Sequence, residues 1–294
     1  MGSITADQYF AGVIGLSLLR NWYVDAEANE ARMTELSAVF AGRAEFPYSL
    51  RLDPQERALL TGYAEWAEVY DGPNPLIEAE ELVVRPLLDR LAQPGVRALD
   101  AACGTGRHAA YLRDLGCTVT AVDQSPEMLT VARGKVSDVR FDQGDIEQLS
   151  FADASFDLVV ISLALTHLAD PTPALQELAR VLRPGGSLVI ADPHAAAGLV
   201  GGQAFYGGIV PGRPMAWVRN HHHSASTWLR AFRTAGLLVE DCIEPPMARA
   251  QIESSPASLL FPDATRTAVE RLPGLWVWEL RRASPEGRCA GSAT

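Results

Sequence analysis

The sequence predicts a doubly wound α/β fold built on a mostly parallel, seven-stranded sheet. Three observations carry this. From residue 96 onward, short apolar runs alternate with helical patterns, as crossover units of a parallel sheet require. Residues 156–165 are almost continuously apolar, the mark of a strand buried on both faces. The turn Gly104-Thr-Gly106 follows a strand directly and opens a helix.

The elements follow in chain order. Residues 4–43 read as helices: Phe10, Ile14 and Leu18 recur at intervals of four, and Met33, Leu36, Val39 and Phe40 share a face. Asp53-Pro54-Gln55-Glu56 reads as the start of a third helix and Asn74-Pro75 as the start of a fourth, running to about residue 91. Strands are then expected at 96–99, 118–122, 139–141, 156–165 and 187–191. Between them lie helices over 108–115, ended by Gly116, over 125–134, and from Thr172-Pro173 to Pro184-Gly185-Gly186. Residues 193–223, rich in glycine and aromatics, are too long for an ordinary connection. A helix at 226–235 and strands at 237–243 and 275–280 complete the pattern. The expected organisation is a helical extension (1–60), a core (61–192), a cap insertion (193–223), the remainder of the core (224–283) and a flexible tail (284–294).

Hydrophobic residues make up 48% and charged residues 21% of the 294, a globular balance. The net charge of −11, with Lys135 as the single lysine, disfavours a nucleic-acid partner, whose phosphates draw on Lys and Arg. No apolar run reaches the ~20 residues of a membrane span. The start lacks the basic flank and cleavage site of a signal peptide, so a cytoplasmic location is expected. Cys103, Cys117, Cys242 and Cys289 form no CxxC pair, which points to neither a metal site nor a disulfide framework.

The central motif is Leu99-Asp-Ala-Ala-Cys-Gly-Thr-Gly106. Gly104-Thr-Gly106-Arg-His-Ala109 also fits a dinucleotide fingerprint, with Asp123 as its ribose acid. Asp100 decides against that reading, because a carboxylate at this strand end would repel a pyrophosphate. It suits a ligand with no phosphate and a cationic ammonium, such as S-adenosylmethionine. Asp123 ends the second strand and can accept from ribose hydroxyls; Asp145 follows the third and can accept from an adenine amine. Three acids at successive strand ends converge on the switch point of an open sheet.

Residues 96–192 resemble the core of class I S-adenosylmethionine-dependent methyltransferases, and specifically their small-molecule branch. The resemblance rests on the motif above, on Val-Thr-Ala-Val-Asp123-Gln-Ser-Pro-Glu-Met128-Leu, on Gly144-Asp-Ile-Glu, on Phe156-Asp-Leu-Val-Val and on Glu177-Leu-Ala-Arg-Val-Leu-Arg-Pro-Gly-Gly186. It covers about a third of the chain. It implies a methyltransferase whose cofactor is held by Tyr70, Asp100, Ala102, Gly104, Gly106, Asp123, Gln124, Met128, Asp145, Ile146 and Ser162. Gly62-Tyr-Ala-Glu-Trp-Ala-Glu-Val-Tyr-Asp71 resembles the family's leading helix, which implies that Tyr70 closes over the methionine end. Ala102 departs from the glycine common there. The resemblance also implies that the last strand inserts antiparallel beside the sixth.

Methyl transfer is an in-line displacement, for which a protein mainly orients and desolvates. A base is needed only if the acceptor must lose a proton. His167, in Leu165-Thr-His-Leu168, is the candidate; a packing role is the expected one. His221-His222-His223 reads as a pocket-lining strand with at most one ring, His222, toward the acceptor, and no metal is expected there. Tyr23, Trp66, Phe205, Tyr206 and Trp217 are the aromatic candidates for enclosing an apolar small molecule. No Asn-Pro-Pro-Tyr motif stands at Val160-Ile-Ser-Leu163, which counts against exocyclic amines of bases and glutamine. The alternatives are C-methylation of an isoprenoid chain with coupled cyclisation, or a non-methylating cyclase or binding module. The N-terminal helices are expected to roof the pocket and to carry homo-oligomer contacts.

Overall fold

The computed structural model describes residues 4–207 and 215–284. Part of the expected cap, 208–214, and the tail beyond 284 lie outside the described residues. Two helices open the chain after a short strand: β1 (Ile4–Thr5), α1 (Ala6–Asn21) and α2 (Ala26–Ala41). Asp25 caps α2 by accepting from the Ala28 N–H at 2.9 Å. Two more strands, β2 (Arg51–Leu52) and β3 (Gln55–Arg57), lead to α3 (Leu59–Trp66) and α4 (Pro75–Leu91). The helix expected from Asp53-Pro54 is therefore not there: the Gln55 N–H donates to Met215 O at 3.0 Å, so strand pairing takes the backbone groups that a first helical turn would use. The start of α4 does match, with Asn74 Oδ1 accepting from the Leu76 N–H at 3.0 Å and Pro75 at the first helical position.

The sheet follows. In chain order come β4 (Arg97–Ala101), α5 (Arg107–Asp114), β5 (Thr118–Asp123), α6 (Pro126–Lys135), β6 (Arg140–Gln143), β7 (Phe156–Ser162), α7 (Thr172–Val181) and β8 (Leu182–Pro193). Then come β9 (Ala204–Tyr206), β10 (Ala216–Val218), α8 (Ala225–Ala235), β11 (Leu237–Ile243), α9 (Arg249–Glu253), α10 (Pro262–Val269) and β12 (Leu275–Arg282). Seven strands form one sheet in the order β11-β12-β8-β7-β4-β5-β6. Strand β12 runs antiparallel between β8 and β11; the pairs β8–β7, β7–β4, β4–β5 and β5–β6 are parallel. The chain turns one way from β4 and the other way from β7, so their shared C-terminal edge is the switch point.

Helices cover both faces. On one, Leu175 and Leu178 of α7 and Trp228 and Phe232 of α8 pack on Leu99, Val159, Ile161 and Trp278. On the other, Val84, Leu87 and Leu88 of α4, Leu112 of α5 and Leu129 of α6 pack on Ala98, Leu158, Val160 and Val277. Each such side chain contributes about 1.5–3 kcal/mol by leaving water, which is what holds strands of this apolar content between two helix layers.

Among the described residues the chain divides into two compact units, Met1–Glu56 with Phe205–Trp217 and Pro246–Gly274, and Arg57–Ala204 with Val218–Pro245 and Leu275 onward. Residues 246–274, expected within the remainder of the core, thus group with the N-terminal segment. The reason is visible around Phe10, whose ring meets Phe261 at 5.7 Å and Tyr48 at 6.0 Å, while Tyr9 Oη lies 2.7 Å from Ser255 Oγ. Of the apolar faces expected on α1 and α2, Phe10, Ile14 and Val39 are buried, but Met33 and Phe40 are 52% and 58% exposed. No helix among the described residues is long and apolar enough to cross a membrane.

Candidate functional site

The C-terminal edge of β4, β5 and β7 opens onto a cavity whose empty space, its open mouth included, is about 680 Å³. It is lined wholly from the larger unit. Eight of the residues expected around a cofactor meet there: Tyr70, Ala102, Gly104, Asp123, Gln124, Met128, Ile146 and Ser162. Asp100 lines a second, smaller cavity, which shares Tyr70, Ala102, Gly104 and Ser162 with the first. Gly106 and Asp145 line neither. Gly106, at φ +83, is the N-cap of α5, and a Cβ there would press on Ala132 and Phe141 at 3.3 Å, so its work is the turn and helix packing. Asp145 is exposed and accepts from the Glu147 N–H at 2.8 Å, closing its own turn.

Asp123 sets the character of the site. One carboxylate oxygen accepts from the Gly104 N–H and the other from the Ser125 N–H, each at 2.8 Å. The glycine turn has therefore given an amide to a carboxylate, leaving a negative charge where a diphosphate would need donors. Burial raises the Asp123 carboxyl above its usual range, against the pull of these N–H groups. The free lone pairs of its oxygens can take hydroxyls. A Cβ built on Gly104 meets nothing within 4 Å, so a ligand can approach the backbone there. Asp100 is buried; its Oδ2 accepts from the Ala109 N–H at 2.7 Å, and burial pushes the carboxyl up to about 6 despite His108 and Arg107.

Two backbone positions at this edge are strained. Ala102 and Leu163, which follow β4 and β7, sit at φ +55 and +56. This left-handed region costs an L residue roughly 1–2 kcal/mol, and such strain gathers where geometry serves a ligand.

Sequence reasoning missed a buried polar cluster beneath the cavity. Glu80, fully buried on α4, accepts from Ser162 Oγ at 2.8 Å, pairs with His108 Nε2 at 2.9 Å and holds the Arg107 guanidinium. Burial alone would raise this carboxyl, but His108, Arg107 and Ser162 outweigh it and bring it down to about 2. The signal was available: Glu80 stands on the buried stripe of α4 with Val84, Leu87 and Leu88. A second tether, Asp71, accepts from Thr105 Oγ1 at 2.7 Å and pairs with Lys135.

The candidate acceptor residues separate. Trp66 lies on α3, its ring 5.8 Å from Tyr63 and 5.1 Å from Tyr70. Tyr63, not anticipated, lines the cavity with His167, Leu59, Leu60, Leu163, Ala164 and Leu168. Tyr63 Oη is 2.7 Å from His167 Nε2, and His167 Nδ1 is 2.8 Å from Arg219 O. Tyr23, Phe205, Tyr206 and Trp217 belong to the smaller unit, and Tyr23 is 95% exposed at the turn between α1 and α2. The histidine run is not the expected strand. His221 donates its backbone N–H to Thr166 O, His223 lies against Leu165 O, and His222 packs its ring on Gly198, lining neither cavity described. No cluster among the described residues could hold a metal ion.

Comparison with known proteins agrees with this geometry. Residues 99–190 match the family described as a methyltransferase domain. A demethylmenaquinone methyltransferase of Beutenbergia cavernae is 38% identical over 145 residues, which are 48% of this chain and 60% of that protein. The chain thus spans less than two thirds of that relative. Among solved structures, a Haloferax volcanii methyltransferase in complex with a methyltransferase activator superposes with a TM-score of 0.59 at 25% identity, over 77% of this chain and 98% of the other. A 4+2 cyclase shares the fold, with a TM-score of 0.54 at 20% identity over 79% and 97%.

Proposed function

Since the chain carries a class I S-adenosylmethionine-dependent methyltransferase domain, we propose that it transfers the cofactor's methyl group to an apolar small molecule. The observation that carries this reading is the cavity itself, which sets Asp123 among aliphatic and aromatic side chains, with Asp100 in the smaller cavity that shares Tyr70, Ala102, Gly104 and Ser162 with it. Bound there, S-adenosylmethionine supplies a methyl group on a positively charged sulfur. Asp123 would accept from the ribose hydroxyls, with Met128 and Ile146 against the base. Asp100 would face the ammonium, and Tyr70 would close over the methionine end. Leu59, Leu60, Leu163, Ala164 and Leu168 form the wall on which an apolar acceptor would lose its water, so that orientation and desolvation lower the barrier.

Calorimetry tests the reading directly. S-adenosylhomocysteine should bind and NAD should not; binding of NAD with no response to S-adenosylhomocysteine would refute it. The exposed Met33 and Phe40, with Trp22 at 63% exposure, support homo-oligomer contacts through α1 and α2. Sedimentation at increasing concentration checks this, and a species that stays monomeric rejects it.

A further inference from the structure

Tyr63, His167 and the Arg219 carbonyl form a chain of two hydrogen bonds in the wall of the cavity, and its direction can be deduced. The carbonyl only accepts, so His167 Nδ1 carries the ring proton. A neutral imidazole has one N–H, which leaves Nε2 a bare acceptor, and Tyr63 Oη therefore donates to it. Burial lowers the His167 imidazole and raises the Tyr63 phenol, so both are uncharged near neutral pH. The pair is thus a proton donor backed by a vacant base, set in a wall otherwise made of Leu59, Leu60, Leu163, Ala164 and Leu168.

Packing does not require this arrangement. The ring of Tyr63 already has partners in Trp66 and Tyr70, at 5.8 and 6.0 Å, and a phenylalanine would keep both. The hydroxyl and the imidazole add two polar groups to an apolar surface, at a desolvation cost offset by their mutual bond and by the bond of His167 to the Arg219 carbonyl. Other titratable groups bear on the pair: Tyr70, Asp123 of β5 and Asp192 of β8 on Tyr63, and His221 on His167.

We propose that Tyr63 is a catalytic residue that relays the proton of an acceptor hydroxyl to His167, and that the acceptor is an apolar molecule methylated on a weakly acidic hydroxyl oxygen. The proposal rests on the methyltransferase reading above and narrows it. As the acceptor oxygen bonds to the methyl carbon, the carbon–sulfur bond breaks and its electron pair stays on sulfur, cancelling the positive charge. The acceptor's proton passes to Tyr63 Oη, and the proton of Tyr63 passes to His167 Nε2. The imidazolium returns its proton to water after product release. His167 acts through Tyr63 and is a positioning residue; the Arg219 carbonyl holds its tautomer.

Two measurements on the full chain test this. Nitrogen-15 NMR of the cofactor-free protein should show His167 protonated at Nδ1, with Tyr63→Phe moving the Nε2 resonance and leaving Nδ1 in place. A ring protonated at Nε2 overturns the relay. The second uses naphthols of graded acidity as acceptors with saturating S-adenosylmethionine. Wild-type kcat should vary little across the series. Tyr63→Phe should lose about a hundredfold or more on weakly acidic naphthols, the lower end of what a positioned acid–base group supplies, with KM little moved. It should lose little on naphthols already ionised at the assay pH. His167→Gln should show the same pattern, which guards against a folding defect peculiar to Tyr63→Phe. Equal loss across the series, or none, overturns the relay. Binding of S-adenosylhomocysteine with transfer to no naphthol overturns the hydroxyl class, whereas failure to bind it overturns the methyltransferase reading itself.

Discussion

Replacing Asp192 by Asn should stabilise the protein, and by more as the pH rises toward about 8. Asp192 lies in β8, fully buried. One carboxyl oxygen accepts from the Thr166 N–H at 3.3 Å, and the other has no hydrogen-bond partner among the described residues. Burial outweighs the backbone donors of Thr166, Leu165 and Ala164 and pushes the carboxyl from 3.8 up to about 8. The folded state therefore keeps a proton that the unfolded chain releases. The stability this provides is fully present below the unfolded pKa and is lost as pH rises, at about 1.4 kcal/mol per unit, until the folded pKa is passed. At neutral pH roughly three units separate the solution from the unfolded value, which makes the loss on the order of 4 kcal/mol. Asparagine removes this titration and keeps an oxygen for Thr166, but leaves an amide without a certain partner, which returns about 1–3 kcal/mol. The net gain should be about 1–3 kcal/mol near neutrality and should shrink or reverse toward about pH 5. Urea midpoints measured across this interval for both proteins give the difference directly. Profiles that run parallel would show that Asp192 ionises alike in both states, and the reasoning would fail.

Two further outcomes follow from the cofactor edge. On the proposed ribose contact, Asp123→Ala removes two charge-assisted hydrogen bonds, each worth about 1.5–3 kcal/mol, so the Kd for S-adenosylhomocysteine should rise at least about tenfold by calorimetry; an unchanged Kd moves the ribose contact elsewhere. Ala102→Gly relieves an L residue held at φ +55 and should raise thermal stability by up to about 1 kcal/mol, so a lowered melting temperature would mean that the methyl group, not the backbone, matters there.

The parts of the molecule legible in the sequence are those whose local signals agree with their packing. Asn74-Pro75 and Ser125-Pro126 open helices where capping chemistry says they should, with Ser125 Oγ accepting from the Met128 N–H at 3.2 Å. The seven strands stand close to where apolar runs placed them, and the strand ends carry Asp100 and Asp123 to one edge. Asp53-Pro54 misled because a helix start and a strand turn share residue types, and pairing with residues 215–218 is a non-local event that no local window contains. Asp145 stands outside both cavities, with one carboxylate oxygen closing its own turn on the Glu147 N–H, a use that residue type alone does not separate from ligand binding. Tyr63 was legible in principle, on one helical face with Trp66 and Tyr70, but its partner His167 lies 104 residues away.

The site draws residues from both inside and outside the segment that resembles other methyltransferases. The match spans residues 99–190, yet Tyr63, Tyr70, Asp71 and Glu80 precede it and Arg219 follows it. These outlying residues need tethers, and the tethers are polar and specific. Glu80 ties α4 to Ser162 at the end of β7 and to Arg107 and His108 at the start of α5. Asp71 ties the turn after Tyr70 to Thr105 in the glycine loop. A buried carboxylate with three partners costs several kcal/mol if any one is removed, so it specifies one placement of the helix that apolar packing alone would leave free to slide. Through Glu80 and Asp71, α4 and the turn after Tyr70 are registered against Ser162 at the end of β7 and Thr105 in the glycine loop. The proposed cofactor and acceptor residues both straddle the match: Tyr70 precedes it, and Leu163, Ala164, His167 and Leu168 lie within it beside Leu59, Leu60 and Tyr63 from before it. The acceptors of relatives matched mainly through the core therefore need not be shared, because Leu59, Leu60 and Tyr63 of the proposed acceptor wall lie outside the match, and substitutions in α3 and around Arg219 should change acceptor choice.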